Sequence, residues 1–148
     1  MAADALDQLG QQAAALLAKL SAPERRKLAA ELARTMRTTQ AERIRANKQP
    51  DGSPMAPRKP RAQRGAIRRK MFTKLVKPAW FKASATATEA AVEFTGSANR
   101  LATVHHFGLR DKINGKEVQY PERQLIGITD TDIDRIEDRL LKSLTASL

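Results

Sequence analysis

Apolar residues recur at helical spacing along the first part of the chain. From Asp4 to Leu20 they come every three or four positions, and no proline interrupts them. This period places the apolar side chains on one side of a helix. The pattern therefore predicts an amphipathic helix over this stretch.

A second helix is predicted to begin at Ser21. Glu24 stands three residues after this serine and Pro23 lies between them, which is the arrangement of a capping box with proline in the first turn. The helix should end near Asn47, before Pro50. At 1.5 Å per residue it would be roughly 38 Å long. Its apolar stripe consists of Leu28, Leu32, Met36 and Ile44.

The segment from Gln49 to Pro60 contains four prolines and an Asp51-Gly52 turn. Proline removes a backbone donor and blocks both helix and sheet. We therefore expect either an ordered loop or an extended arm. The basic stretch that follows, from Arg61 to Lys77, has few apolar residues at irregular spacing, which favours a short helix or a mobile segment.

Short strands and one short helix are expected after residue 80. Phe81–Thr88 alternates apolar with polar residues, and 91–95 can return antiparallel to it after a turn at Glu89. Ser97 is predicted to cap a helix that ends at Gly108. Asn114-Gly115 is then a strong signal for a two-residue hairpin turn.

A final helix should begin with a capping box of Thr129 and Asp132. Its apolar face would consist of Ile133, Ile136, Leu140, Leu141 and Leu144. The predicted fold class is α+β: N-terminal helices, a small antiparallel sheet and a C-terminal helix. The organisation within one domain is a helical region (1–47), a proline-rich and basic arm (48–80), and an α+β core with the last helix (81–148).

Charge and composition change this picture in two respects. The formal net charge is +11, and 18 of the 27 Lys and Arg lie between Arg25 and Lys82, with three acids in the same stretch. Such a field favours a polyanion nearby, although a solvated basic surface explains it equally well. Only 4% of the residues are aromatic, so the core should be thin and part of the chain should need a partner.

The residues offer no pattern for catalysis, metal binding or a cofactor. There is no cysteine, and no glycine loop or nucleophile motif is present. His105 and His106 are adjacent, so on a helix they point about 100° apart and cannot readily chelate one metal. Asp130, Asp132 and Asp134 are better explained as helix N-terminal charges than as calcium ligands. We therefore expect a protein that is not an enzyme, has no cofactor and contacts no membrane.

Three segments together carry a family signature: PDGSPMAPRKP at Pro50–Pro60, VHHFGLRDK at Val104–Lys112, and YPERQLIGITDTD at Tyr120–Asp132. With KMFTKL at Lys70–Leu75 between them, their order and spacing resemble the phage virion morphogenesis family, from about Leu28 to Leu144. That family usually has Trp where this chain has Met55, and Gln where it has His106.

The resemblance implies a structural subunit of the phage neck that completes or terminates the tail and supports head–tail joining. It would be assembled in the host cytoplasm and found in the virion. Its expected partners are further copies of itself in a hexameric ring, tail tube or sheath proteins, and head–tail connector proteins. The alternative is a basic nucleic-acid-binding accessory protein that forms no ring, supported by the charge alone.

The resemblance also suggests which residues serve assembly. These are Pro50, Asp51, Gly52, Pro54, Pro57, His105, His106, Phe107, Gly108, Tyr120, Pro121, Arg123, Leu125 and Gly127. We expect Phe107 to be buried against Val104 and the final helix. Non-specific contact with genomic DNA, through backbone phosphates only, is expected at Arg61, Arg64, Arg68, Arg69 and Lys70. The same charges could instead meet acidic patches on neighbouring ring proteins.

Overall fold

The computed structural model describes residues 2–58 and 70–146. The elements in this part of the chain are α1 (Ala2–Leu17), α2 (Ala22–Arg45), β1 (Phe81–Ala85), β2 (Ala90–Phe94), α3 (Ser97–Phe107), β3 (Arg110–Ile113), β4 (Lys116–Gln119) and α4 (Asp130–Ala146). The α+β class is confirmed. The strands described form two separate two-stranded sheets, β1-β2 and β3-β4.

The described residues divide into two compact units, and α2 contributes to both. The first unit is drawn from the chain up to Thr38, from Ala83–Val92 and from Ile128 onward. The second is drawn from Thr39–Lys82 and Glu93–Gly127. No helix in the described ranges is both long and apolar enough to cross a membrane.

Two of the three predicted N-terminal helix caps are confirmed. At α2 the Glu24 N–H donates to Ser21 Oγ at 3.3 Å and the Ser21 N–H donates to Glu24 Oε2 at 2.9 Å. The same reciprocal pair joins Thr129 and Asp132 at α4, at 3.0 and 3.1 Å. The predicted cap at Ser97 is wrong. Gly96 is the N-cap of α3, and because Ser97 is already the first helical residue, no side chain caps that end.

The turns agree closely with the sequence pattern. Asn114 and Gly115 both have positive φ, 50° and 78°, as a type I′ turn requires, and Ile113 pairs with Lys116 beside it. β1 ends at Ala85, earlier than expected, because the Thr86 N–H donates to the carbonyl of Glu89 at 2.8 Å and begins the turn there.

The segment after the proline-rich loop differs from its prediction where it is described. Residues 61–69 lie outside the described ranges. Residues 71–80 form consecutive turns rather than a short helix. The backbone bonds from the Lys77 N–H to the Lys74 carbonyl and from the Trp80 N–H to the Lys77 carbonyl each close one such turn.

The core of the first unit is built by α1, α2 and α4. Its buried residues are Ala13, Leu20, Leu28 and Leu140, and the partly buried ones around them are Leu9, Leu17, Leu32, Ile136 and Leu144. An ion pair between Glu31 and Arg139 joins α2 to α4. The prediction for Leu141 is wrong, because its side chain is 54% exposed. It follows buried Leu140 by about 100° of helix rotation and so points away from the core.

The core of the second unit centres on stacked rings. Phe81 is fully buried, and its ring centroid lies 4.6 Å from that of Phe94. Phe107, which we expected in the core, is 62% exposed. Nine residues separate it from buried Ala98, which is two and a half helical turns, so its side chain lies on the opposite side of α3.

Candidate assembly site

The last turns of α2 place two polar side chains against the segment Leu125–Gly127. Gln40 is 2% exposed; its Nε2 donates to the carbonyl of Gly127 at 2.7 Å, and the Gly127 N–H donates to its Oε1 at 3.2 Å. Arg43 donates to Gln40 Oε1 and to the carbonyl of Leu125, the latter at 2.8 Å. The end of α2 therefore holds this segment by its backbone.

The described part of the proline-rich loop, up to Arg58, is held by several hydrogen bonds. The Gln49 N–H donates to the carbonyl of Ser53 at 2.8 Å, and the Met55 N–H donates to that of Asn47 at 2.8 Å. Asp51 accepts from both the N–H and the hydroxyl of Ser53, at 2.9 and 2.5 Å. The hydroxyl bond is the main reason that the pKa of Asp51 is lowered. Of the two structures expected here, the described part forms a closed loop.

Two contacts near the start of this loop join it to the Tyr120–Gly127 segment. The Gln124 N–H donates to Gln49 Oε1 at 3.0 Å. Pro50 lies against Gly127 so closely that a Cβ added at Gly127 would stand 2.5 Å from Pro50 Cγ. Real Cβ atoms do not approach that near, so glycine is required at this position unless the loop moves.

Arg123 binds the loop to α3. Its side chain is buried, Nε donates to the carbonyl of Ala56 at 2.7 Å, and Nη2 donates to that of Pro57 at 3.0 Å. Nη1 lies 3.3 Å from His105 Nδ1, and the backbone N–H of Arg123 donates to the carbonyl of His105 at 2.8 Å. Because one planar guanidinium reaches several acceptors at once, Arg123 fixes the relative positions of these segments.

Both histidines contact other residues of the protein through ring packing or hydrogen bonds. His105 packs edge-on against Phe72 and tilted against Tyr120, with centroid distances of 4.9 and 4.6 Å. Burial, and then the charge of Arg123, lowers its pKa. His106 accepts the Leu125 N–H at Nδ1, at 3.1 Å, and burial is the main cause of its lowered pKa. Among the described residues, no cluster of acidic or histidine side chains could hold a metal ion.

Gly108 lets the chain leave α3 toward β3. Its φ of 63° is left-handed, and a Cβ there would lie 2.8 Å from the backbone nitrogen of Glu122. The bonds of its N–H back to the last turn of α3 confirm the predicted helix end. The close approach of Glu122 gives a second reason for glycine, which the sequence could not show.

The structure thus brings most of the proposed assembly residues into one cluster in the second unit. Buried or partly buried in it are Pro50, His105, His106, Gly108, Tyr120, Arg123, Leu125 and Gly127. Exposed around it are Asp51, Gly52, Pro54, Pro57, Phe107 and Pro121. Of the proposed DNA contacts, Arg61, Arg64, Arg68 and Arg69 lie outside the described residues, and Lys70 is exposed.

Sequence reasoning missed several residues that hold the cluster together: Gln40, Arg43, Gln49, Phe72 and Gln124. One of them carried a signal. Gln40 lies between Met36 and Ile44, four residues from each, and this spacing places its polar side chain in the apolar stripe of α2. A buried amide needs hydrogen-bond partners, which points to a distant backbone segment.

Comparisons with known proteins match nearly the whole chain. The sequence model of the phage virion morphogenesis family matches residues 4–145. The chain is 40% identical over 135 residues to a curated protein called tail completion protein S of Escherichia phage P2, an alignment that covers 87% of this chain and 90% of that protein. No solved structure gave a significant match.

Proposed function

Because the chain belongs to the phage virion morphogenesis family, we propose that it is a structural subunit that completes the tail at the neck and supports the joining of tail to head. The observation that carries this proposal is the similarity to tail completion protein S over nine-tenths of that protein's length. The proposal assigns no catalytic step and no cofactor to the chain.

The arrangement of the candidate assembly site supports a structural role. The polar side chains of the cluster, among them Gln40, Arg43 and Arg123, bond mainly to backbone groups of distant segments. Such bonds hold loops in one shape rather than activating a reacting group. A rigid platform of this kind is what a subunit needs to present the same surface to each neighbour.

Exposed apolar side chains in the second unit are the proposed contact points. Trp80, Leu101, Phe107, Leu109 and Ile113 are each more than 40% exposed. Large aromatic side chains contribute most to binding when a partner buries them. Phe107 is the most exposed of the five, so we assign it as an anchor for a neighbouring virion protein, whether another copy, the tail tube or sheath, or the connector.

We also propose that the copies form a hexameric ring, by analogy with the sixfold symmetry of the tails that such proteins would complete. Ring contacts are heterologous, since one patch meets a different patch on the next copy. Native mass spectrometry at high concentration, together with images of the intact neck, tests this proposal. Monomers alone in solution and no ring in the virion would refute it.

Deletion of the gene from its phage tests the function itself. We expect full heads and separate tails in the lysate, and restoration of joined particles when the wild-type gene is supplied on a plasmid. Normal infectious particles from the deleted phage would rule out the completion role.

A second candidate function is a nucleic-acid-binding accessory protein that forms no ring, favoured by the net charge of +11. Negative-stain images of the purified protein separate the two. Rings support the structural role, and featureless small particles that bind DNA support the accessory role.

A further inference from the structure

One side of α4 is acidic and exposed. Asp130, Asp134, Glu137 and Asp138 are all exposed. Leu141, which is 54% exposed, follows Asp134, Glu137 and Asp138 by seven, four and three residues. This spacing places them together on one side of the helix. Within the described chain, no hydrogen bond or ion pair involves these four carboxylates. We call them, with Leu141, the acidic face.

Apart from Asp138, the acidic face lies away from the side of α4 that packs against α2. That packed side carries Ile136 and Leu140, and Arg139 pairs there with Glu31. The cations of α4, Arg135, Arg139 and Lys142, line a groove beside Leu32 and Met36 of α2, and Asp138 stands at the edge of the acidic face in the same groove. The positive charges of α4 thus lie toward α2, and most of its negative charge points elsewhere.

A basic face of matching length lies on α2 in the same unit. Arg26, Lys27 and Arg34 are exposed. Arg26 and Arg34 lie on the side of the helix away from the stripe that contains Leu28 and Leu32, whereas Lys27 lines a groove with Leu28 and with Arg139 of α4. Arg26 and Arg34 are eight residues apart, as are Asp130 and Asp138, so each face extends about 12 Å along its helix. We call Arg26, Lys27 and Arg34 the basic face.

These two faces decide which contact between copies is favourable. An isologous contact of two acidic faces would oppose like charges, and so would a contact of two basic faces. A contact of the acidic face with the basic face pairs opposite charges and covers Leu141. When each face meets a different neighbour the contact is head-to-tail, and repeated head-to-tail contacts close into a ring if the rotation between copies allows it; two such contacts across one two-fold axis would instead form a closed dimer.

We propose that the acidic face of α4 docks on the basic face of α2 in a second copy of this chain. The inference rests on the proposed function, because it names the contact by which copies of a tail-completion subunit associate. Its occupant is a second copy because the chain itself supplies a basic surface of complementary charge and equal length.

Two charge-reversed chains test the contact. The first carries Asp134→Lys, Glu137→Lys and Asp138→Lys, so both of its faces are basic. The second carries Arg26→Glu, Lys27→Glu and Arg34→Glu, so both are acidic. At an ionic strength of about 0.05 M, each alone should associate at least about tenfold more weakly than wild type in sedimentation velocity.

An equimolar mixture of the two reversed chains should recover association to within about threefold of wild type, because every contact in an alternating ring then pairs opposite charges. Two control chains carry the same changes in net charge as the reversed chains, but at positions outside the two faces. One carries Glu89→Lys, Glu93→Lys and Glu117→Lys, and the other carries Lys82→Glu, Lys112→Glu and Lys116→Glu. All six control positions are exposed. The controls should associate within about threefold of wild type.

A third variant, with Asp134→Asn, Glu137→Gln and Asp138→Asn, removes the negative charges without reversing them. It tests the contact even if the charge reversals unfold the protein. It should melt like wild type and still associate several-fold more weakly. The proposal is overturned if wild type stays monomeric, if the mixture fails to associate, or if the matched controls lose association to the same extent.

Complementation of the deleted phage separates this contact from the proposed function. If the deletion yields separate tails but a reversed chain restores joining, the contact is wrong and the function stands. If the deletion has no effect on joining, the function is wrong, and the mixing experiment still decides the contact.

Discussion

The side-chain amide of Gln40 forms a two-point pair with the backbone of Gly127, 87 residues further along the chain. The amide donates to the glycine carbonyl and accepts its N–H, as a neighbouring strand would. Gln40 therefore replaces a strand partner for a segment that lies outside both sheets of the described structure. Arg43 adds a hydrogen bond to the carbonyl of Leu125, two residues before Gly127.

Replacing Gln40 should lower stability more than a similar change two residues away. Gln40→Leu leaves both backbone groups of Gly127 without their partner, and we expect the free energy of unfolding to fall by about 2–3 kcal/mol. Glu42→Leu, at an exposed position of the same helix, should change it by less than about 0.5 kcal/mol. Urea titrations measure both. Equal losses would show that the Gln40 pair contributes nothing specific.

Gly127→Ala should be destabilising because of Pro50. The added Cβ would meet the proline ring at 2.5 Å, and we expect a loss of about 1–3 kcal/mol. Pro50→Gly removes the ring, so Gly127→Ala should cost at least about 1 kcal/mol less in that background. A double-mutant cycle measures this difference. Strict additivity would mean that the loss has another origin.

Phe107→Ala should leave the fold intact and impair assembly. Because the side chain is largely exposed, we expect a stability change of less than about 1 kcal/mol, whereas Phe81→Ala, at a fully buried ring, should cost about 3–5 kcal/mol. Thermal unfolding compares the two variants, and complementation of the deleted phage measures assembly. A Phe107→Ala protein that melts like wild type and joins tails normally would remove Phe107 from the interface.

Stability should fall as the pH is lowered below neutrality. His105 and His106, the chain's two histidines, have pKa values lowered in the folded state, mainly by burial. An unfolded histidine takes up its proton near pH 6.5. Between that pH and the folded pKa the unfolded state binds more protons, so the free energy of unfolding decreases as the pH falls and levels off below the folded pKa.

Unfolding titrations between about pH 7.5 and pH 5 test this dependence, since the carboxylates titrate below that range. A chain with His105→Gln and His106→Gln should show a flatter profile. An identical slope in this variant and the wild type would assign the effect to other groups.

DNA contact, if it occurs through Arg61, Arg64, Arg68, Arg69 and Lys70, should be independent of sequence and sensitive to salt. Replacing these five residues with Ala should flatten the slope of log affinity against log salt by up to about 4–5, because each phosphate contact contributes about 0.9. Fluorescence anisotropy with two unrelated duplexes measures the slope. A slope that does not change would remove this segment as the contact.

The elements of this fold could be predicted from local patterns. Two capping boxes, at Ser21 and Thr129, and the Asn114-Gly115 turn could be predicted in this way. Each depends on groups only a few residues apart, so the identities of nearby residues are enough to predict it. The strand ends were less accurate, because β1 stops where the bond from the Thr86 N–H to the Glu89 carbonyl begins the turn. The pattern also failed to show which of two adjacent apolar residues is buried. In α4, Leu140 is buried and Leu141 is exposed.

The sequence by itself determined the order of helices and strands, the basic excess and the three segments that carry the family resemblance. Only the tertiary structure decided that these segments meet, because the bonds that join them span 67 residues from Arg123 to Ala56 and 87 from Gln40 to Gly127. It likewise decided that Phe107 is exposed. Burial depends on which surfaces pack together, and residues near in sequence do not determine that.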